Sequence, residues 1–263
     1  MIGLILWREP QPGLRQKRVE IQEVQILTMR FLRAEVLRGP RARQLTLRRR
    51  MLAAARALRR CGVTQAVLPE GFQDAGVLER CGLRPVSTLA LRRSIAADWV
   101  SAELAAWGKT KSETRVAIAA EELTGEVVRT VTELALRYRY VLVQLGHGGE
   151  ALSRQLRQEY GISLLMQPSA EQVEGAEAMV LFQPRPEWRC RNPVVLSLYG
   201  EGELPCIVLP PALEAQLPKG ADRGQLLAAL RNAGVLKPGQ LTIKVMRSGG
   251  KDPKNGSFPP DNA

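Results

Sequence analysis

The residues best placed for ligand chemistry are the glycines of a short turn, Gly146-His147-Gly148-Gly149. An apolar segment precedes this turn, and residues with helical spacing follow it. In dinucleotide-binding proteins, glycines at such a strand-to-helix junction permit a tight turn, and the helix N-terminus meets a pyrophosphate. We therefore take Gly146, His147, Gly148 and Gly149 as candidate cofactor-binding residues, although the sequence does not identify the cofactor.

The turn departs from the Gly-x-Gly-x-x-Gly spacing of dinucleotide-binding proteins. Ala151 stands at the position of the third glycine, and Glu150 brings a negative charge to the place where a phosphate would approach. The turn also follows the second strand of its unit, whereas the dinucleotide motif follows the first. A competing interpretation is that the glycines only fit a tight strand-to-helix corner.

Few residues could carry acid–base, nucleophilic or metal chemistry. His147 is the only histidine, and as a general base it would need an orienting partner such as Glu150. The four cysteines form no Cys-x-x-Cys pair; they are Cys61, Cys81, Cys190 and Cys206. Zinc sites need closely spaced Cys and His ligands. We predict no catalytic residue and no metal site, and the sequence leaves open whether the protein is an enzyme.

A run of arginines supplies a second candidate site. Residues 42–60 are predicted to form a helix with an apolar face of Leu47, Met51, Ala54, Ala55 and Leu58, and they contain no acidic residue. Arginines neutralise nucleic-acid phosphates. The candidate nucleic-acid-binding residues are Arg48, Arg49, Arg56, Arg59 and Arg60. A solvated helix face, or a surface for an acidic protein partner, would give the same pattern.

The elements that position these residues alternate between strand and helix. Apolar segments rich in β-branched residues occur at 115–120, 140–145, 162–166, 178–182 and 194–198. Helical spacing separates them at 121–138, 150–160 and 168–176, and Ser169 with Gln172 forms a predicted capping box. Strands without polar alternation are buried on both faces. The pattern predicts an α/β fold, a Rossmann-like three-layer domain with a mostly parallel sheet.

Charge divides the chain into two parts. Residues 1–110 carry a net charge of +11, from 20 basic and 9 acidic residues, whereas residues 111–263 carry only +1. We predict a smaller basic α/β domain at 1–110, a Rossmann-like domain at 113–247 and a disordered tail at 248–263. Within the first domain, residues 3–7 are expected to form a hairpin with 19–32, and 91–107 to form one helix.

Residues 24–90 also loosely resemble the acyl-CoA N-acyltransferase family. The likeness lies in the order of strands and helices and in the segment Val77-Leu-Glu-Arg-Cys-Gly-Leu-Arg-Pro-Val86, which ends a helix at a glycine before a strand. The resemblance implies a pyrophosphate-binding turn at residues 38–43. That segment, Arg-Gly-Pro-Arg-Ala-Arg, contains one glycine and one proline.

Three functional hypotheses follow. No apolar run approaches the ~20 residues that span a bilayer, and the apolar N-terminus is too short for a signal peptide, so we predict a cytoplasmic protein without a membrane partner. The first hypothesis is a non-catalytic or cryptic Rossmann-like binding protein. The second is a nucleotide- or dinucleotide-binding enzyme or sensor that uses the turn at 146–149. The third is a nucleic-acid-associated protein that uses the arginine helix.

Overall fold

The computed structural model describes residues 1–11, 16–186, 188 and 190–245. Two five-stranded sheets and one two-stranded sheet account for the strands in these ranges. Within them, no helix combines the length and the apolar composition that crossing a bilayer requires.

The first sheet has the strand order β2-β3-β1-β4-β5. Its strands are β1 (Ile2–Arg8), β2 (Val19–Ile26), β3 (Met29–Leu37), β4 (Gln65–Val67) and β5 (Arg84–Pro85). The hairpin predicted between β1 and residues 19–32 is wrong. Instead β2 pairs antiparallel with β3 through a turn in which Leu27 has a φ of 54°, and β3 runs parallel to β1.

Four helices follow in the first half of the chain: α1 (Gln44–Arg60), α2 (Gly76–Glu79), α3 (Leu89–Ser94) and α4 (Ala96–Ala106). The predicted apolar face of α1 packs on the first sheet through Met51, Ala54, Ala55 and Leu58. The single helix expected at 91–107 is interrupted at Ile95, whose φ of −107° and ψ of 7° end α3 before α4 begins.

The second sheet is wholly parallel, with the order β10-β9-β6-β7-β8. Its strands are β6 (Arg115–Ala120), β7 (Tyr140–Leu145), β8 (Leu165–Met166), β9 (Ala178–Leu181) and β10 (Val194–Ser197). Counted from β6, this is the order 5-4-1-2-3, the arrangement of a Rossmann-type fold. The predicted α/β fold with a Rossmann-like parallel sheet is therefore confirmed.

Helices cover both faces of this second sheet. On one face lie α4, α5 (Gly125–Arg137) and α6 (Gly149–Tyr160); on the other lies the short helix α7 (Ala170–Glu174). Ser169 caps α7 in the predicted capping box with Gln172. The predicted start of α5 at residue 121 is wrong, because Thr124 is the N-cap and its hydroxyl accepts from the Val127 N–H. Glu121 and Glu122 therefore lie in the loop after β6.

The last described elements return to the first sheet. They are β11 (Cys206–Val208), α8 (Pro211–Glu214), α9 (Arg223–Asn232), a 3-10 turn (Pro238–Gln240) and β12 (Thr242–Lys244), which pairs antiparallel with β11. Leu226, Leu227 and Leu230 of α9 share one apolar cluster with Leu4 and Phe31 of the first sheet. The division into domains at residue 113 stays a prediction, and the tail predicted to be disordered lies outside the described residues.

Candidate functional site

The glycine turn joins β7 to α6 beside the carboxyl end of the second sheet. Gly148 is the N-cap of α6 with a φ of 79°, a conformation that side chains with a Cβ rarely adopt. Gly146, His147 and Gly148 are exposed, whereas Gly149 is buried. The main chain therefore brings the four predicted cofactor-binding residues to one corner of the sheet.

Close packing against the main chain accounts for Gly146 without any ligand, and a positive φ accounts for Gly148. A Cβ on Gly146 would lie 2.6 Å from the carbonyl oxygen of Glu121, and a Cβ on Gly148 would lie 3.1 Å from Leu123. A Cβ on Gly149 would lie 2.5 Å from Cε of Met166, the movable end of a flexible side chain, so this contact does not by itself require glycine. The turn thus rests against the loop that follows β6. The cofactor role of these residues stays a prediction.

In open parallel sheets, ligands bind beyond the carboxyl ends of the strands where the strand order reverses. Here that position lies between β6 and β9. Carboxylates concentrate there, because Glu121 and Glu122 follow β6 and Glu126 lies in the first turn of α5. Gln183, which follows β9, accepts a hydrogen bond from the Glu121 N–H at 2.8 Å. This region therefore presents negative charge where a pyrophosphate would approach a helix N-terminus.

Arg93 of α3 connects the elements around the same edge. Its Nη1 donates to Glu126 Oε2 at 2.9 Å, and its Nε donates to the carbonyl of Leu198, just after β10, at 2.9 Å. The guanidinium also lies 5.6 Å from the ring centroid of Phe182, just after β9. Arg93 thus joins α3 to the ends of β9 and β10 and to α5, whereas Nε2 of Gln183 at the same edge is buried without a hydrogen-bond partner.

The neighbouring Arg92 is buried and also binds the segment after β10. Its Nη1 donates to the carbonyl of Gly200 at 3.0 Å, and Nη2 donates to the carbonyl of Ser197. Burial lowers the pKa of Arg92, an effect opposed by the charge of Glu201 and reinforced by that of Arg93. The two arginines of α3 therefore fasten the first half of the chain to the carboxyl edge of the second sheet.

The five arginines predicted to bind nucleic acid fall into two sets. Arg48 forms an ion pair with Asp74 at 3.3 Å, and Arg59 donates to the carbonyl of Val63 at 3.0 Å. Arg49, Arg56 and Arg60 are exposed. Their spacing of seven and four residues places them on one side of α1, opposite its buried face. We call these three residues the arginine face.

A cleft of about 240 Å³ lies at the carboxyl ends of β1 and β4, beside the first turns of α1. Its walls include Trp7, Arg38, Arg48, Glu70 and Phe72. The rings of Trp7 and Phe72 meet edge to face with centroids 6.2 Å apart, and the guanidinium of Arg38 lies 5.5 Å from the Trp7 centroid. We call this the aromatic cleft.

Sequence reasoning missed the aromatic cleft. Trp7 reads as the end of an apolar strand and Phe72 as a loop residue, and the two lie 65 positions apart. The available signal was the position of Trp7 itself, because the carboxyl ends of parallel strands are where α/β sheets bind ligands. Only the parallel pairing of β1 with β3 and β4 shows that residue 7 lies at such an end.

The described residues contain no group of three or more His, Cys, Asp or Glu side chains that could hold a metal ion. Cys61, Cys190 and Cys206 are exposed free thiols, and Cys81 is half-buried. The sole histidine, His147, is exposed.

Neither a protein-family model nor a curated protein matches the sequence. Several solved structures are similar to part of it, among them three dehydrogenases. An L-tryptophan dehydrogenase from Nostoc punctiforme matches at 11% identity and a TM-score of 0.26, over 57% of this chain and 44% of that one. A D-lactate dehydrogenase with NAD+ from Lactobacillus jensenii matches at 11% identity and a TM-score of 0.23, over 51% of this chain and 45% of that one. A D-lactate dehydrogenase from Treponema pallidum matches at 15% identity and a TM-score of 0.26, over 57% of this chain and 48% of that one.

The chain thus spans less than half the length of these three dehydrogenases. At such identities and TM-scores the similarity carries no argument about activity, and the Rossmann-type assignment depends on the strand order described above. The resemblance of residues 24–90 to acyl-CoA N-acyltransferases stays a prediction.

Proposed function

We propose that this chain is a non-catalytic binding protein, in which the Rossmann-like sheet is a scaffold and the basic first half carries the contact surface. The observation that supports this most strongly is the Arg93–Glu126 ion pair at the carboxyl edge of the second sheet. It brings charged groups of the protein itself to the edge where Rossmann-type proteins hold a cofactor.

The charges around that ion pair argue in the same direction. A helix N-terminus favours anions, but the negative charges of Glu121, Glu122 and Glu126 repel a second anion at the start of α5. Among the residues that the structure describes, Arg93 pairs with Glu126, whereas Glu121 and Glu122 have no ion-pair partner. A pyrophosphate at this helix would therefore approach uncompensated carboxylates.

A nucleotide panel tests the proposal. Thermal unfolding of the full chain is measured with NAD+, NADP+, ATP, S-adenosylmethionine and acyl-CoA, and a known Rossmann-type dehydrogenase serves as the positive control. We expect no saturable rise in Tm for this chain. A ligand at a hundred times its Kd stabilises a protein by about 2.7 kcal/mol, which such a measurement detects easily. A saturable rise with any member of the panel would contradict the proposal.

The second candidate is nucleotide binding at Gly146, His147, Gly148 and Gly149, and a pair of variants isolates it. His147 lies in the turn before α6, Tyr160 is the last residue of α6, and both are exposed. If a nucleotide binds at the turn, the stabilisation it gives is lost in His147→Glu and kept in Tyr160→Glu. If a nucleotide stabilises both variants equally, it binds elsewhere.

For the partner, the basic surface of the first half is compatible with nucleic acid or with an acidic protein. Long-range attraction from clustered positive charge favours either class of polyanion. The cytoplasmic location also stays a prediction, which fractionation of the native source would test.

A further inference from the structure

We infer that the partner of the basic half is a single-stranded nucleic acid, with one unpaired base in the aromatic cleft and phosphates along the arginine face. This inference rests on the proposed function, because it identifies the partner of that binding protein. It keeps three of the five arginines predicted from sequence, Arg49, Arg56 and Arg60, and adds a site that includes Trp7 and Phe72.

The aromatic cleft has the surfaces that hold a nucleobase. The rings of Trp7 and Phe72 are both half-buried, so each is anchored in the core cluster under α1 while part of it faces the cleft. Base stacking on aromatic side chains is the common means of binding single strands, because every base has a π-face. A cleft of about 240 Å³ is large enough for one ring system and too small for a dinucleotide.

The carboxylates that line the cleft suit a base, because they would repel a phosphate. Glu70 and Asp74 both line it, and Asp74 is the ion-pair partner of Arg48. Carboxylate oxygens accept hydrogen bonds from the ring and amino N–H groups of bases. The exposed Arg38 guanidinium stacks over Trp7 and adds a positive charge at the mouth.

The phosphates are assigned to the arginine face. From Arg49 to Arg60 the helix rises about 16 Å, at 1.5 Å per residue. One strand of a duplex places about one phosphate every 3.4 Å, so this length accommodates several phosphates. No acidic residue occurs in α1, and its last turn carries Arg59 and Arg60.

The combination of these two features favours nucleic acid over an acidic protein. Either polyanion would satisfy the arginine face. A nucleic acid carries a flat π-system with N–H donors beside every phosphate, and so offers one to the cleft at the first turns of the same helix. An acidic protein does so only where an aromatic residue such as tryptophan stands among its acidic residues. The cleft also selects single strands, because bases in a duplex are stacked inside the helix and cannot enter it without being flipped out.

Fluorescence anisotropy with labelled oligonucleotides of about 12 nucleotides, within the usual site size of single-strand binders, tests the inference on the full chain. We expect single-stranded RNA or DNA to bind at least 10-fold more tightly than the matching duplex at ~150 mM salt. Phe72→Leu keeps an apolar side chain and removes the ring, and it should weaken single-strand binding about 10-fold. Phe72→Tyr keeps the ring and should restore the affinity.

Charge variants test the arginine face with a matched control. Arg49→Gln with Arg56→Gln should lower the slope of log affinity against log salt by about 1.4, because each phosphate contact on a single strand contributes ~0.7. Arg154→Gln with Arg157→Gln removes the same charge from exposed residues of α6 and should leave the slope unchanged. Thermal unfolding of each variant shows that it is folded.

The contradictory outcomes are distinct. Equal binding of duplex and single strand, or full affinity in folded Phe72→Leu, overturns the assignment of a base to the cleft. If the two double variants have equal slopes of log affinity against log salt, the assignment of phosphates to the arginine face is wrong. If a mononucleotide binds as tightly as the oligonucleotide, the single-strand assignment is wrong and the ligand of the cleft is a free nucleotide. If no oligonucleotide binds and the nucleotide panel is also negative, this inference fails while the proposed function stands.

Discussion

Gly202 lies directly against the guanidinium of Arg92. A Cβ added at residue 202 would be 2.7 Å from Nη2 and 2.8 Å from Cζ of that arginine. The end of an arginine side chain usually moves away cheaply, but Arg92 is only 4% exposed and donates to the carbonyls of Ser197 and Gly200. The absence of a side chain at 202 therefore allows the buried cation to reach its acceptors.

This relationship predicts a strong coupling between the two positions. Gly202→Ala should destabilise the protein by about 2 kcal/mol, within the range for overpacking. Arg92→Ala should cost about 3 kcal/mol, because it removes a buried side chain together with its hydrogen bonds to Ser197 and Gly200. In the Arg92→Ala background, Gly202→Ala should cost less than ~0.5 kcal/mol, as measured by urea unfolding in a double-mutant cycle. Additive effects would mean that the guanidinium does not fill the space beside Gly202.

Gly146, which precedes α6, and Gly161, which follows it, predict losses of stability with two different physical causes. Gly146→Ala places a methyl group 2.6 Å from the Glu121 carbonyl oxygen, a backbone atom that cannot move without displacing the end of β6. We expect a loss of about 3 kcal/mol in unfolding free energy. Gly161 has a φ of 68° but open space around its Cβ position, so Gly161→Ala should cost only the conformational strain of about 1 kcal/mol.

Chemical unfolding without any added ligand measures both costs. If Gly146→Ala proves as mild as Gly161→Ala, packing no longer accounts for the glycine turn. The candidate cofactor-binding role of Gly146, His147, Gly148 and Gly149 would then gain support.

Glu214 and Arg223 predict a pH-dependent contribution to stability. Arg223 Nη2 donates to Glu214 Oε2 at 2.8 Å, and this hydrogen bond lowers the pKa of Glu214 below its ordinary value of 4.5. A carboxyl group whose pKa is lower in the folded state stabilises the fold above its unfolded-state pKa. That stabilisation disappears as the pH falls through the folded-state pKa. Glu214→Gln should therefore reduce stability at pH 7 and have no effect at strongly acidic pH.

The expected loss at pH 7 is small, at most about 1 kcal/mol, because exposed ion pairs are screened by solvent. Glu203→Gln makes the same change in charge at another exposed residue of the same segment and serves as the control. A Glu214→Gln effect that is constant between pH 7 and pH 3 would show that the loss does not come from ionisation.

Local patterns predicted the elements better than the contacts between them. The apolar face of α1 and the capping box of Ser169 follow from residues three and four positions apart, so they were visible in the sequence. The pairing of β2 with β3 was not visible, because Leu27 adopts a positive φ that its residue type does not suggest.

The candidate sites show the same limit. The glycine turn is contiguous and was found, but its packing against Glu121 and Leu123 depends on how β6 lies beside β7. The aromatic cleft joins residues from three separate segments. The Arg93–Glu126 pair joins α3 to α5, and no spacing in the sequence indicates which of many arginines meets which glutamate.

Asn192 supplies a further prediction, since it is a buried amide that serves two carbonyls at the end of α7. It is 7% exposed, and its Nδ2 donates to the carbonyl oxygens of Val173 and Ala176, each at 2.8 Å. Asn192→Leu keeps the approximate volume but leaves both acceptors unpaired, so it should cost about 3 kcal/mol of unfolding free energy. The same substitution at the exposed Asn232 should change stability by no more than ~0.5 kcal/mol.

Asn192→Asp tests the two hydrogen bonds of Asn192 through the pH dependence of stability. An ionised carboxylate would face two carbonyl oxygens and could donate to neither, whereas a protonated carboxyl group could donate to one of them. Burial and the absence of donors should raise the pKa of this aspartate in the folded state. The variant should therefore be closest to the parent protein below the unfolded-state pKa of about 3.9 and lose stability relative to it as the pH rises. Urea unfolding of both proteins at several pH values measures this difference, and a difference that does not change with pH would show that the two Nδ2 hydrogen bonds are not what makes Asn192 necessary.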